Sequence, residues 1–351
     1  MALAESERTA ARAARLAGKR IAVIGGGTGS YNVLSGLKNT PCSITAVVAM
    51  TDSGGSSGRL RDEFGHLPPG DVRQCLLALS QDDHAGMILR QLFNYRFDKG
   101  SGLDGHSFGN LFLTALTEIT GSTDAAILEA GRLLNIKGQV LPVTLTNASL
   151  GARLENGREI VGEANLDHRT IDPDVPIDYV FLRPTAFVYQ ETARTLEAAD
   201  AIVIGPGDLY TSVIANLVVD GVTAAIRRSR ARKILVCNLM TKHGESDGFK
   251  ASDFVREVSS YLGFQNALDC LIVNSAPLPE KVLQRYAPEG SFPVEFDEAE
   301  CERLVPHTVA GDFLAIGQFV RHDSQRLAEA ILNVVDAQGA PWAQDGEPGQ
   351  D

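Results

Sequence analysis

Short apolar runs alternate along the chain with segments whose apolar residues recur at helical spacing. Ile21–Ile24 is one such run and reads as a buried strand. Beyond a glycine-rich turn, Val33, Leu34 and Leu37 fall on one side of a helix. Residues 43–50 are rich in β-branched side chains and read as a second strand. Residues 51–70 are polar and glycine-rich, a long loop for a compact domain, which favours a functional role. Asp71 is placed to cap a helix over 72–80, and helical patterns follow at 85–98, 107–119 and 124–134. Residues 139–146 are strand-like, and Asn156-Gly157 between alternating runs predicts a hairpin within 150–161. After a loop over 165–178 come a strand at 178–182 and a helix at 192–199. The strand 201–204 enters a second glycine turn and a helix to 219, followed by strand 233–237, helix 251–262 and strand 268–274. A short helix at 277–286, an extended stretch at 313–320 and a final helix at 325–335 complete the pattern. Strands alternating with helices predict the α/β class, a doubly wound, largely parallel sheet with helices on both faces and a small β-hairpin insertion.

Composition narrows this picture. A chain of 351 residues holds one large α/β domain or two lobes sharing an interface. Residues 1–18 read as a flexible or loosely helical extension, 19–335 as the folded domain and 336–351 as a disordered tail. The net charge of −12 argues against non-specific nucleic-acid binding and against docking on anionic lipid, but not against a small anion held in a local basic pocket. Cys42, Cys75, Cys237, Cys270 and Cys301 form no C-x-x-C pair, which suits buried reduced thiols in a cytoplasmic protein. The N-terminal stretch lacks the apolar core of a signal peptide, and no apolar run is long enough to insert in a membrane.

Three turns carry the candidate chemistry. Gly25, Gly26, Gly27, Thr28 and Gly29 link a strand to a helix, an arrangement that lets backbone amides approach a phosphate. Ser30 stands where a dinucleotide fingerprint has its last glycine, and no Gly-Lys-Ser/Thr follows, so a tight turn without a ligand is the alternative. After the second strand, Asp52, Ser53, Gly54, Gly55, Ser56 and Arg59 offer hydroxyls, amides and a guanidinium for phosphate or sugar oxygens. Asp52 suits a ribose hydroxyl or a Mg²⁺ ion. In the third turn, Gly205 and Gly207 flank a proline, Asp208 is a candidate cap, Tyr210 a candidate stacking surface, and Thr211 and Ser212 add hydroxyls. His106 and Asn110 open a helix, where the histidine either contacts a phosphate or caps. No His-Glu-x-x-His and no G-x-S-x-G motif supports metal or serine hydrolysis.

The ordered segments Ile24–Ser30, Thr51–Arg59, Leu67–Arg73, His106–Asn110 and Gly205–Ser212 together resemble the gluconeogenesis factor family, within the superfamily of 2-phospho-L-lactate transferase (CofD-like) proteins. The resemblance implies a Rossmann-like fold. It also implies a bacterial cytoplasmic protein needed for cell shape and wall synthesis on gluconeogenic carbon sources. The expected ligand is a UDP-sugar such as UDP-N-acetylglucosamine, with no established reaction. Tyr286 and Arg321 match positions implicated in holding that ligand. The competing expectation is a Mg²⁺-dependent transfer from a nucleotide-activated phospho-acid to a deazaflavin. The single acid Asp52 stands here where that branch carries a pair. A nicotinamide oxidoreductase is a weaker third reading. The resemblance leaves a cell-wall or regulatory protein partner and a homo-oligomer open.

Overall fold

The computed structural model describes residues 10–100 and 102–337. In chain order the elements are β1 (Arg20–Gly25), α1 (Gly27–Leu37), β2 (Ser43–Val48), α2 (Gly55–Phe64), α3 (Gly70–Leu79), α4 (His84–Asn94), α5 (Phe108–Thr120), α6 (Thr123–Leu133), β3 (Gln139–Pro142), β4 (Ser149–Leu154), β5 (Glu159–Val161), α7 (Glu163–Asp167), β6 (Ile177–Arg183), α8 (Gln190–Ala198) and β7 (Ala201–Ile204). A π-helical turn (Leu209–Ile214) runs into a short helical turn. Then come α9 (Val222–Arg228), β8 (Arg232–Val236), α10 (Ala251–Leu262), β9 (Cys270–Asn274), α11 (Glu280–Tyr286), α12 (Glu298–Leu304), β10 (Thr308–Gly311), β11 (Leu314–Ile316), β12 (Val320–His322) and α13 (Ser324–Asp336).

The central sheet has the order β10-β9-β8-β7-β1-β2-β3, and every neighbouring pair is parallel. Its inner strands are buried on both faces, which is why they read as continuous apolar runs rather than alternating ones. The chain steps outward from β1 to β2 and β3, then returns beside β1 as β7 and steps the other way. The carboxyl ends of β1 and β7 therefore flank a topological switch point, the place where open α/β sheets leave a crevice.

The helices cover this sheet through their predicted faces. Val33, Leu34 and Leu37 of α1 are fully buried, as are Cys75, Leu76, Leu77 and Leu79 of α3. α13 lies against α1, where a Cβ on Gly36 would stand 2.0 Å from the Ser324 carbonyl oxygen. Two additions stand outside the main sheet. The predicted hairpin β4–β5 turns at Asn156-Gly157 and gains β6 as a third antiparallel strand, in the order β5-β4-β6. Its exit carries α7 toward the switch point. The antiparallel pair β11–β12 replaces the single extended stretch expected at 313–320.

Two further expectations change. Residues 55–64, read as loop, form α2. Asp71 lies in the first turn of α3, after Pro69 as N-cap, and does not cap it. In the N-terminal extension the helical alternative is seen: residues 10–16 are helical and Leu16 is buried. Arg12 pairs with Glu329 at 2.5 Å and Arg15 with Asp336 at 2.6 Å, both on α13. Residues 1–9 and the tail beyond 337 lie outside the described residues. Among the described residues, no helix is long and apolar enough to cross a membrane.

Candidate functional site

Two cavities of similar size mark the sheet. One of about 570 Å³ lies along β3 and α6, lined by residues such as Leu128, Val140 and Tyr189. The other, about 540 Å³, sits at the switch point and gathers the strand-end turns. Only the second collects the glycine turns, carboxylates and cations that the sequence pointed to, and it is the candidate site.

The first glycine turn forms one wall. Gly27, Thr28 and Gly29 line the cleft, while Gly25 and Gly26 are not among its lining residues. Gly26 is the N-cap of α1 and offers no side chain to its amides, and the first turn carries no acidic residue. Gly29 cannot bear a side chain, because a Cβ there would lie 2.0 Å from the Pro206 carbonyl oxygen. That contact presses the β1 and β7 turns together. The Gly27 amide bonds the Asp71 carboxylate, so the loop already faces one anion of the protein itself.

The second glycine turn differs in kind. Gly207 donates to the Asn238 Oδ1 at 3.2 Å, and the Asn238 amide donates back to the Gly207 carbonyl at 2.8 Å. The Tyr210 amide and the Thr211 hydroxyl both donate to the Glu245 carboxylate at 3.0 Å. These backbone donors are taken by the chain's own groups rather than left for a phosphate. Tyr210, expected to stack on a base, is buried, and its phenol donates to Glu257 at 2.9 Å. Gly207, Asp208, Thr211 and Ser212 line the cleft, and Gly205 does not.

The acidic wall is assembled from distant parts of the chain. Asp52, Asp71, Glu163, Asp167, Asp208 and Glu289 all line it. The Gly54 amide donates to Asp52 at 2.9 Å, and the Ser53 amide donates to Glu163 at 3.1 Å. The Ser53 hydroxyl accepts from the Ala164 amide, which ties the 51–58 segment to α7. Burial, then the nearby Asp52 and Glu163 charges, push Asp71 up to about 8. Burial also leads the causes that push Glu163 up to about 7, with Asp52 and Asp167 adding to it.

Two cations face these acids. Lys242 contacts Asp167, lies 2.7 Å from Asp208 and lies 3.0 Å from Glu245, whose side chain is wholly buried. Burial works to lower the Lys242 pKa, but these three carboxylates outweigh it and raise it. Asp167, Asp208 and Glu245 are close enough together to suit a cation, and the ammonium already lies among them. Asp52, expected at a metal, lies in the cleft but outside that trio. Arg321, on β12, makes no ion pair among the described residues. Its guanidinium sits 5.9 Å from the Phe319 ring centre. The Val320 amide donates to the Tyr286 hydroxyl at 2.9 Å, so Tyr286 both lines the cleft and holds the hairpin that carries Arg321. His322 lines it as well, and burial pushes this histidine down to about 4.

Other expected contacts form a support behind the cleft. Ser56 bonds the His106 imidazole at 3.1 Å, Asn110 donates to Ser57 at 3.2 Å, and Arg73 donates to Asn110 at 2.9 Å. Ser107, not His106, caps α5. Arg59 donates to the Asp104 carbonyl at 3.0 Å. Ser53, Gly54, Gly55, Ser56, Arg59, His106 and Asn110 are not among the lining residues; they fix the segment that presents Asp52. Glu163, Asp167, Lys242 and Glu245 were absent from the sequence reading. Lys242 and Glu245 follow the carboxyl end of β8, so extending the strand-end rule to that strand would have found them.

Comparison with known proteins agrees with this architecture. Residues 21–314 match the 2-phospho-L-lactate transferase CofD family. The gluconeogenesis factor of Halalkalibacterium halodurans is 42% identical over 317 residues, spanning 90% of this chain and 96% of that protein. That of Bacillus subtilis is 37% identical over 318 residues, spanning 90% and 98%. A crystal structure of a UPF0052 family member from Bacillus halodurans superposes with a TM-score of 0.85 at 41% identity, covering 90% of this chain and 99% of that one. The chain belongs to the CofD family and groups there with the gluconeogenesis factors.

Proposed function

We propose that the switch-point cleft binds a nucleotide-sugar of the UDP-N-acetylglucosamine type, and that the protein acts as a cytoplasmic regulator of cell shape and wall synthesis during gluconeogenic growth. The observation that carries the binding reading is the division of the cleft. On one side lie Thr28 and Gly29 in the first turn of α1, whose N-cap supplies no side chain, and Arg321, which makes no ion pair among the described residues; both suit a diphosphate. On the other lies a wall of carboxylates, which accept hydrogen bonds from sugar hydroxyls and repel phosphates. A volume of about 540 Å³ is within the range of small-ligand sites. Titration calorimetry with UDP-N-acetylglucosamine tests this. Arg321→Ala is expected to weaken binding by about tenfold to a hundredfold, the worth of a charge-assisted contact. Unchanged affinity in that variant removes Arg321 from the site, and no binding by the native protein ends the reading.

A second reading, Mg²⁺-dependent transfer from a nucleotide-activated phospho-acid, draws support from the raised Asp71 and Glu163. Carboxylates crowded enough to hold protons near neutral pH are also suited to a hard cation. Asp52 would be the ligand of that ion, which would neutralise diphosphate charge. Failure to form product with a deazaflavin acceptor, a nucleotide-activated donor and Mg²⁺ removes this reading.

A further inference from the structure

The cleft continues into a second groove. Asn32, Arg321 and His322 line both. Beyond them the groove runs beneath the β11–β12 hairpin toward the start of α13, past Gln318, Phe319 and Gln325. Its chemistry is the reverse of the acidic wall. Its one carboxylate, Asp323, caps α13 by accepting from the Gln325 and Arg326 amides. What remains is an aromatic ring 51% exposed, a guanidinium beside that ring, and side-chain amides from Asn32, Gln318 and Gln325.

This polarity fixes which way a ligand lies. Phosphates are drawn to Thr28 and Gly29, beyond the Gly27 amide that Asp71 takes, and to Arg321, and hydroxyls to the carboxylates. The third part of a nucleotide-sugar is a flat heterocycle with a hydrogen-bonding edge. Tyr210 cannot receive it, because its ring is buried and its phenol is bound to Glu257. Phe319, half exposed with the Arg321 guanidinium over its ring, offers aromatic surface for stacking, and amides supply paired donors and acceptors for a base edge. The hairpin that carries Phe319 is held in place at both ends of its turn. Arg285 donates to the Gln318 carbonyl, and the Tyr286 hydroxyl accepts from the Val320 amide.

We infer that the groove between the β11–β12 hairpin and the start of α13 is the nucleobase subsite, with Phe319 as the stacking surface and Asn32, Gln318 and Gln325 as the edge-reading amides. This rests on the nucleotide-sugar reading of the adjoining cleft, and it assigns the orientation that reading leaves open: base under the hairpin, diphosphate at α1 and Arg321, sugar at the acidic wall. Arg321 then serves two parts of the ligand, since it lines both spaces.

Calorimetry with two probes, UDP-N-acetylglucosamine and the base-free N-acetylglucosamine 1-phosphate, tests the assignment in the native protein, Phe319→Ala and Gln325→Ala. Phe319 is exposed at a hairpin turn, so its truncation leaves the core intact. The native protein is expected to prefer the nucleotide, and Phe319→Ala to lose about tenfold or more for the nucleotide while the base-free probe binds it unchanged. Gln325→Ala is expected to narrow the preference for UDP over GDP and ADP. If Phe319→Ala binds the nucleotide as the native protein does, the base lies elsewhere and the subsite is overturned while the cleft reading stands. If Phe319→Ala weakens both probes equally, the ring acts only by placing Arg321, and the subsite is again overturned. If the native protein binds no UDP-sugar, the cleft reading and the subsite fall together.

Discussion

At Asp71 and Glu163 the cleft makes a measurable commitment. Both carboxyls have folded-state pKa values raised to about 8 and about 7, so the folded protein binds more protons than the unfolded chain between pH 4 and 8. Stability from these groups therefore falls as pH rises through that window. His322 has the opposite sense: it is buried neutral and lowered to about 4, so its contribution falls as pH drops below 6.5. Between pH 8 and 6.5 the histidine opposes only weakly, so the carboxyls set the sign. Thermal unfolding followed from pH 8 to pH 6.5 is expected to show a rising Tm, and Asp71→Asn to flatten that limb. A Tm that falls over the same interval would contradict the crowding of these acids. Glu245 belongs to the same scale. Removing it leaves Lys242 with Asp167 and Asp208 but takes the acceptor from the buried Tyr210 amide and Thr211 hydroxyl. Glu245→Ala is expected to lower the unfolding free energy by about 2–3 kcal/mol in denaturant titrations.

Among the elements, the two strand-to-helix turns look alike in sequence and behave differently. The β1 turn leads into a helix whose N-cap has no side chain; the β7 turn leads into a π-helical turn whose donors are bound by Glu245 and Asn238. Nothing local in Gly205–Ser212 announces this, because both partners come from beyond β8. The same holds for Glu163, which only the antiparallel insertion brings beside Ser53. α2 is a related case. Gly55, Ser56, Ser57 and Gly58 read as loop by propensity, yet they are helical, with Ser56 hydrogen-bonded to the His106 imidazole and Ser57 accepting from Asn110. The inner strands of the central sheet, by contrast, were legible, since burial on both faces leaves an apolar run that needs no partner to be read, whereas the edge strand β10, only half-buried, was missed. Tyr286 and Arg321 came from a family resemblance, and the structure brings both to the cleft. The contact between the two turns gives a sharp test. Gly29→Ala places a methyl against the Pro206 carbonyl and is expected to cost about 1–3 kcal/mol of stability. It should also weaken nucleotide-sugar binding, which calorimetry on the same variant reads.

Across the whole molecule, the cleft joins the two directions in which the sheet grows. Gly27–Gly29 belong with β1–β3, whereas Gly207, Lys242 and Arg321 belong with the strands from β7 onward. A ligand bound there bridges both, and a hundredfold excess over its dissociation constant adds about 2.7 kcal/mol to stability. Hydrogen exchange should then show protection at 27–29 and at 320–322 together. Protection confined to one of these segments would mean that the ligand does not span the switch point.

The pairing of Ile21 with Ala201 has a consequence for the newborn chain. β1 emerges from the ribosome among the first elements, but the neighbour that covers its second edge is not synthesised until more than half of the chain has passed. At common elongation speeds that wait is roughly ten to forty seconds. During it, a strand destined for the centre of the sheet has one open edge, and the glycine turn has no opposing wall. The phosphate end of the cleft is thus translated first and completed last, when the hairpin bearing Arg321 arrives.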